Sequence, residues 1–391
     1  MDIRAIVLVG GVTGEDSGCA ENVGGVPIAY LDALGLPVVE RVLRRLERYG
    51  ICTATIVSDV PAATAEFADR VAVNPSIRHI DAAGDNFWDA AEEAFQQCSA
   101  EGADLVIALR VGPYVEVDYE EMIQHHLDNR CVISMAVDAG NSSLDIFVLD
   151  PAGRFDAREL FYSRLQRMRR ECEPFAVKGY VNRLQNAGDL RRLAVDGLLA
   201  RNCVRPEGLE IKPGVYVARG ARIHPKARVV APAFIGARAK VHAAALITRG
   251  SVLEHHAEVD CGTVVENSTL LPYTRLGAGL DVMHSVVGFR RLTHLVRNVD
   301  VEITDARLVG MVPLSPVSRL AGSTAAFFAF LPKQIYRGLF APSHRDHAAE
   351  SSECADPETA LGAPVLEAPA SGVESSEFPS NLAVVRRYGD H

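Results

Sequence analysis

The stretch from Val215 to Thr274 reads in sixes: VYVARG, ARIHPK, ARVVAP, AFIGAR, AKVHAA, ALITRG, SVLEHH, AEVDCG, TVVENS, TLLPYT. The third position of each six is aliphatic throughout: Val217, Ile223, Val229, Ile235, Val241, Ile247, Leu253, Val259, Val265 and Leu271. The first position is small or β-branched: Val215, Ala221, Ala227, Ala233, Ala239, Ala245, Ser251, Ala257, Thr263 and Thr269. Neither a 3.6-residue nor a two-residue period gives this pattern. A hexapeptide period is the sequence sign of a parallel β-helix. Each six supplies one short strand and a corner, three sixes close one coil, and the run makes about four coils. Side chains alternate along a strand, so the first and third positions both point inward. Strand pairing sets the coil spacing at roughly 4.8 Å, which makes the element about 20 Å tall. The register fades after Leu271, where Gly277, Met283 and Phe289 fall on the third position. The expectation there is a top coil loosening into a cap.

The chain has 391 residues, a net charge of -10, 48% hydrophobic and 23% charged residues. Its length favours two or three domains. The acidic balance argues against a general nucleic-acid binder. The eight cysteines, Cys19, Cys52, Cys98, Cys131, Cys172, Cys203, Cys261 and Cys354, form no C-x-x-C pair. Neither a zinc site nor a disulfide framework follows from that spacing, and reduced thiols in a cytoplasm are expected. The N-terminus enters a strand almost at once, so no signal peptide is expected. No apolar run reaches membrane-spanning length.

Ahead of the repeats, strands and helices alternate. IRAIVLV (Ile3–Val9) is a buried-strand run closed by Gly10-Gly11, and a glycine-rich loop follows to Gly25. PVVERVLRRLERY (Pro37–Tyr49) has one apolar face and Gly50 as its stop. ICTATIVSD, DLVIALRV, CVISMAV and SLDIFVLDP read as strands, and DNFWDAAEEAFQQC as a helix capped by Asp85 or Asn86. Such alternation implies a mainly parallel sheet with helices on both faces. A glycine-terminated first strand is where folds of this kind hold phosphates.

These segments, AIVLVGG, ALGLPVVERVLRRLERYGI, DLVIALR, and SLDIFVLDP followed by VKGYVNRLQNAGDL, together with the hexapeptide run, resemble the sugar-nucleotide pyrophosphorylases. Those enzymes join a nucleoside triphosphate to a sugar 1-phosphate, and many carry a C-terminal left-handed β-helix. The resemblance implies a Rossmann-like nucleotidyltransferase domain of the GT-A type over residues 1–200, with a mixed sheet. A left-handed parallel β-helix would occupy 205–312, an apolar helical segment 313–341 and a disordered tail 342–391.

Phosphoryl-type transfer needs cations on the phosphates and carboxylates on Mg²⁺. At the positions that the resemblance assigns to this work, the residue types differ. The phosphate-loop arginine is Glu15, and the lysine is Ile28. One metal aspartate falls on Val111, or on Arg110 with a one-residue slip, and the second falls on Arg183. No metal site and no cofactor are therefore expected, with Mg²⁺ only if the transferase activity survives. Gly10, Gly11, Arg110 and Arg183 are the candidates for weak nucleotide or sugar-nucleotide binding, the arginines contacting phosphate directly.

The expected function is that of a catalytically degenerate relative, regulatory or scaffolding, in nucleotide-sugar or surface-polysaccharide synthesis. The first alternative is an active sugar-1-phosphate nucleotidyltransferase. The second is a hexapeptide acyltransferase using His255 or His256 as general base. The bland reading of that pair is a solvated corner.

After Met311 the stretch 318–341 is dense in Phe and Leu, broken at Pro332. It is too short to span a bilayer. It reads as a helix packed on the body of the protein or as a docking element for a membrane-associated sugar transferase. The Ser-, Ala-, Pro- and Glu-rich run that follows lacks the aromatic content to build a core. LAVVRRYGDH at the end reads as a frayed tail or a short contact motif. Exposed end strands of a β-helix favour a homo- or hetero-oligomer. The expected location is cytoplasmic, with peripheral attachment to the inner face of the membrane as the variant.

Overall fold

The computed structural model describes residues 1–10, 22–23, 26–59, 76–82, 86–153, 156–162, 172–312 and 385–387. Glu15, Gly11, the 318–341 stretch and nearly all of the acidic tail lie outside the described residues.

The N-terminal sheet is built from β1 (Ile3–Val9), β2 (Thr53–Ser58), β3 (Ile77–Asp81), β4 (Leu105–Arg110), β5 (Ile133–Val137), β6 (Ser143–Leu149) and β7 (Cys172–Ala176). Their spatial order is β7-β5-β6-β4-β1-β2-β3. β1 pairs parallel with β2 and β4, β2 with β3, and β5 with β7, while β6 runs antiparallel between β4 and β5. Six strands therefore end on one edge of the sheet. Alternation along β1 divides the core. Ala5, Val7 and Val9 join the cluster containing helix α1 (Val38–Arg48), whereas Ile6 and Leu8 join the one containing α2 (Asn86–Ala100). The first cluster also takes in Met122 of α3 (Tyr119–Asp128) and the second Leu160 of α4 (Ala157–Tyr162). Pro37 caps α1 and Gly50, at φ 78°, follows its end, as the sequence pattern implies.

The repeat region forms three sheets of parallel strands, stacked so that Val215 pairs with Ala233, Arg222 with Lys240 and Arg228 with Leu246. Each pair is eighteen residues apart, three sixes to a coil. Ala233, Ile235, Ala239, Val241, Ala245, Ile247, Leu253, Val259 and Val265 fill one interior cluster and are almost fully buried. The apparent fading after this point is a one-residue slip. Leu253 pairs with Leu270, Val259 with Leu276 and Val265 with Val282, each seventeen apart. The corner at Asn267 and Ser268 is one residue shorter than the one below. Leu270, not Leu271, therefore points into the prism, and Leu271 joins the N-terminal core instead. Gly277 lies just past the inward Leu276. A Cβ there would sit 1.9 Å from the carbonyl oxygen of Arg307, a close approach that only glycine allows.

The top does not loosen but is covered by antiparallel strands. Arg291–His294 lies on Ser285–Gly288, Val309–Met311 on Thr274–Leu276, and Val385–Arg387 on Leu280–Met283. The last of these corrects the reading of the C-terminus as frayed, because three of its residues complete a sheet. At the base, Leu209–Lys212 covers Val215–Val217.

A polar seam joins the two halves. The Glu254 carboxyl group, fully buried, accepts hydrogen bonds from the backbone amides of Leu34 (2.8 Å) and Gly35 (2.9 Å). Beside it Nδ1 of His255 lies 2.9 Å from Oδ2 of Asp32. Arg191, on α5 (Ala187–Leu198), reaches Oγ1 of Thr269 at 2.9 Å and the Gly250 carbonyl at 3.2 Å. His255 is thus buried against the N-terminal domain rather than a solvated corner, because the domain packs on that face of the coil.

Candidate functional site

The strand ends of the parallel sheet converge on one edge, and Gly10, Arg110, Val111 and Arg183, among the positions singled out in the sequence, fall at or near it. Gly10, at φ 106°, follows β1. A Cβ on it would meet the Asp59 Cβ at 3.0 Å, so the bare backbone lets the ends of β1 and β2 close together. Ser58, the last residue of β2, shares a hydrogen bond of 2.8 Å with the Tyr30 hydroxyl. Burial pushes that hydroxyl up to about 12, with the Ser58 bond opposing, so Tyr30 stays protonated at neutral pH.

Arg110 closes β4. Its Nε and Nη2 reach Oδ2 of Asp145 at 3.1 and 2.8 Å across the β4–β6 pairing. Both side chains are mostly buried. Asp138 follows β5 and occupies a turn in which its Oδ1 accepts from the amides of Gly140 and Ser142, each at 2.9 Å. Its other oxygen pairs with Arg183. The Ser142 amide first, and then the Arg183 guanidinium, hold the Asp138 carboxyl below the usual carboxylate range. Arg183 is set in place by Val181–Asn182, which pairs antiparallel with Tyr114–Val115.

Arg110 and Arg183 therefore sit at the sheet edge, but each is matched to a carboxylate of its own. A phosphate reaching either would have to displace Asp145 or Asp138. Val111 is 6% exposed and belongs to the hydrophobic core, so its position supplies no ligand. Ile28, in the short turn Ile28–Tyr30, is 2% exposed and equally part of that core. At the two positions that the resemblance reserves for metal carboxylates stand a buried valine, Val111, and Arg183, and the nearby Asp138 and Asp145 are bonded to arginines. Val111 and Arg183 themselves cannot ligate Mg²⁺, which takes oxygen donors.

Asp138 and Asp145 are the residues that sequence reasoning missed. Asp-Ala-Gly-Asn between two strands is a turn signature, so the turn at Asp138 was readable. Its partner, 45 positions on, was not.

Elsewhere, His242, Asp260 and Cys261 bring one ligating atom each within 4.8 Å of one another on the coil. All three are engaged. His242 lies 3.0 Å from Glu258, Asp260 pairs with Arg275 at 3.0 Å, and Cys261 is disulfide-bonded. That bridge corrects the expectation of reduced thiols throughout. The nearest cysteine along the chain, Cys203, is free, so the bridge leaves no spacing signal. His255 and His256 form a ring cluster with Tyr273, His256 stacking on it at 5.0 Å. With Nδ1 of His255 held by Asp32, the pair is part of the seam between the halves. No helix among the described residues is long and apolar enough to cross a membrane.

The sequence matches no protein-family model and no curated protein. Two crystal structures of HddC from Yersinia pseudotuberculosis align with it. One, complexed with GMP-PN, is 14% identical with a TM-score of 0.36, and the other is 16% identical with a TM-score of 0.37. Each alignment covers 50% of this chain and 98% of the HddC chain. Overlaps of this size do not establish a shared fold or activity.

Proposed function

We propose that the chain is a sugar-nucleotide pyrophosphorylase-like protein that no longer transfers nucleotides and instead serves a regulatory or scaffolding role in nucleotide-sugar metabolism. The observation that carries this reading is the charge pairing at the sheet edge. Nucleotidyl transfer requires cations that are free to take up developing negative charge. Arg110 and Arg183 are each neutralised from within, by Asp145 and Asp138. The positions that the motif resemblance reserves for a metal carboxylate and a phosphate lysine are buried aliphatics, Val111 and Ile28. Left-handed winding of the coil, a nucleotide or sugar nucleotide as a weak ligand, and an oligomeric or membrane-enzyme partner belong to the same proposal.

The test is a pyrophosphate-release assay with Mg²⁺ over a panel of nucleoside triphosphates and sugar 1-phosphates, run beside a calorimetric titration with the corresponding sugar nucleotides. The expected result is no turnover above the protein-free blank, with weak binding or none. Sustained pyrophosphate release with any pair would overturn the reading in favour of an active transferase.

A further inference from the structure

Charge on this chain is segregated. Between Ile211 and Leu253 there is no aspartate or glutamate, yet the stretch holds Lys212, Arg219, Arg222, Lys226, Arg228, Arg238, Lys240 and Arg249, in a chain whose net charge is -10. Two of these eight are matched from the coil above, Lys240 by Glu258 and Arg249 by Glu266. The other six are exposed and face no carboxylate partner among the described residues. They belong to the base of the coil. Arg222 and Arg228 point outward from two of its strands, Lys226 is on the corner between them, and Arg238 stacks over Arg219, its amide donating to the Arg219 carbonyl at 3.2 Å.

The same base is apolar at its centre. Arg222–Ile223 and Arg228–Val229 are edge strands, the first in their sheets, whereas the coil's top strands all carry an antiparallel cover. Their inward side chains, Ile223 and Val229, are only half-buried because no coil lies beneath them. Leu209, Ile211 and Val230 stand out at 76%, 54% and 42% exposure.

We propose that the base of the coil docks on an anionic phospholipid surface, the cations meeting headgroup phosphates and the apolar side chains entering the interface. A face of cations around exposed aliphatics, with Glu210 the single carboxylate on its strands and held by the Gly214 amide, matches both layers of such a surface. A soluble polyanion would use the cations and leave Leu209, Ile211 and Val230 in water. A second copy of the same face would set six cations against six. The acidic remainder of the chain is repelled by anionic lipid, which fixes the orientation with the base down.

The experiment is co-sedimentation of the full chain with vesicles of phosphatidylcholine alone and of phosphatidylcholine mixed with phosphatidylglycerol, at low and high salt. The proposal expects binding to the mixed vesicles only, weakened by salt. Each cation near the surface contributes roughly fivefold in binding, so R222E/R228E is expected to lose at least about twentyfold. L209S/I211S is expected to weaken binding while keeping its salt dependence. Both pairs are solvent-facing, and unchanged circular dichroism checks that the fold is intact. No binding, equal binding to both vesicles, or full binding by R222E/R228E overturns the proposal, the last by moving the contact elsewhere in the chain. Binding of soluble polyglutamate without vesicle binding overturns it in favour of an acidic polypeptide.

Discussion

Oδ2 of Asp32 lies 2.9 Å from Nδ1 of His255, across 223 positions of sequence. Both groups are buried, and with Glu254 they hold the Asp32–Gly35 hairpin region against the coil. Removing the Asp32 carboxylate breaks a hydrogen bond inside a dry seam. Asp32→Ala is expected to destabilise the chain by about 1 kcal/mol, the net worth of a lost hydrogen bond. Urea unfolding monitored by circular dichroism checks this, and a midpoint equal to that of the unaltered chain would contradict it.

Burial pushes the Glu254 carboxyl up to about 8, helped by Asp32 and opposed by the Leu34 and Gly35 amides and by Arg41. Its folded value lies above the ordinary 4.5. The folded chain therefore holds this proton where the unfolded chain has lost it. That contribution is greatest below the ordinary glutamate range and is lost as pH rises toward about 8. Thermal unfolding between these limits should show the unaltered chain losing stability with rising pH more steeply than Glu254→Gln. Parallel curves would show that Glu254 does not couple to folding.

Arg191 is buried, reaches Thr269 and the Gly250 carbonyl, and has its guanidinium pushed down to about 10 by burial. Lysine cannot reproduce the forked contacts. Both Arg191→Ala and Arg191→Lys are expected to lower stability, the first by about 2–4 kcal/mol. Limited proteolysis should cut faster between the halves in both variants; cleavage at the original rate would argue that the seam does not depend on this residue.

Ile247 is wholly enclosed in the prism. Truncation to alanine leaves a cavity between stacked coils and is expected to cost about 2–4 kcal/mol. Outward Arg222→Ala, on a neighbouring face, should stay within about 0.5 kcal/mol. Equal losses at the two sites, measured by denaturant midpoints, would contradict the assignment of inward and outward positions.

Asp145→Asn and Asp138→Asn remove the carboxylate charge that faces Arg110 and Arg183. If the two arginines line the open edge, nucleoside triphosphate binding by calorimetry should tighten several-fold, on the order of 1 kcal/mol. Unchanged affinity in the double variant would mean that neither guanidinium reaches a bound phosphate.

Much of the architecture is local in origin and so was readable. Val217 through Val265 repeat every six because each residue occupies the same place in an identical short strand, and Ala5–Val9 is continuously apolar because β1 is covered on both faces. The slip at Asn267 and Ser268 was harder. A one-residue deletion at a corner moves the inward register from Leu271 to Leu270, yet two adjacent leucines satisfy either reading. At the sheet edge, residue identities alone distinguished Val111 and Ile28 from metal and phosphate ligands. What neutralises Arg110 and Arg183 needed coordinates, because Asp145 and Asp138 reach them through strand pairing across 35 and 45 positions.

The coil, the alternating domain before it and the residue types at the sheet edge could be read from the chain alone. These depend on periodicity and residue chemistry, which act within one strand, turn or helix. It took the folded chain to place His255 against Asp32 and Val385–Arg387 on the top of a sheet, and to leave the base of the coil with cations that face no carboxylate among the described residues. The physical reason is that burial, ion pairing and edge protection are properties of surfaces brought together, and spacing along the chain does not say which surfaces meet.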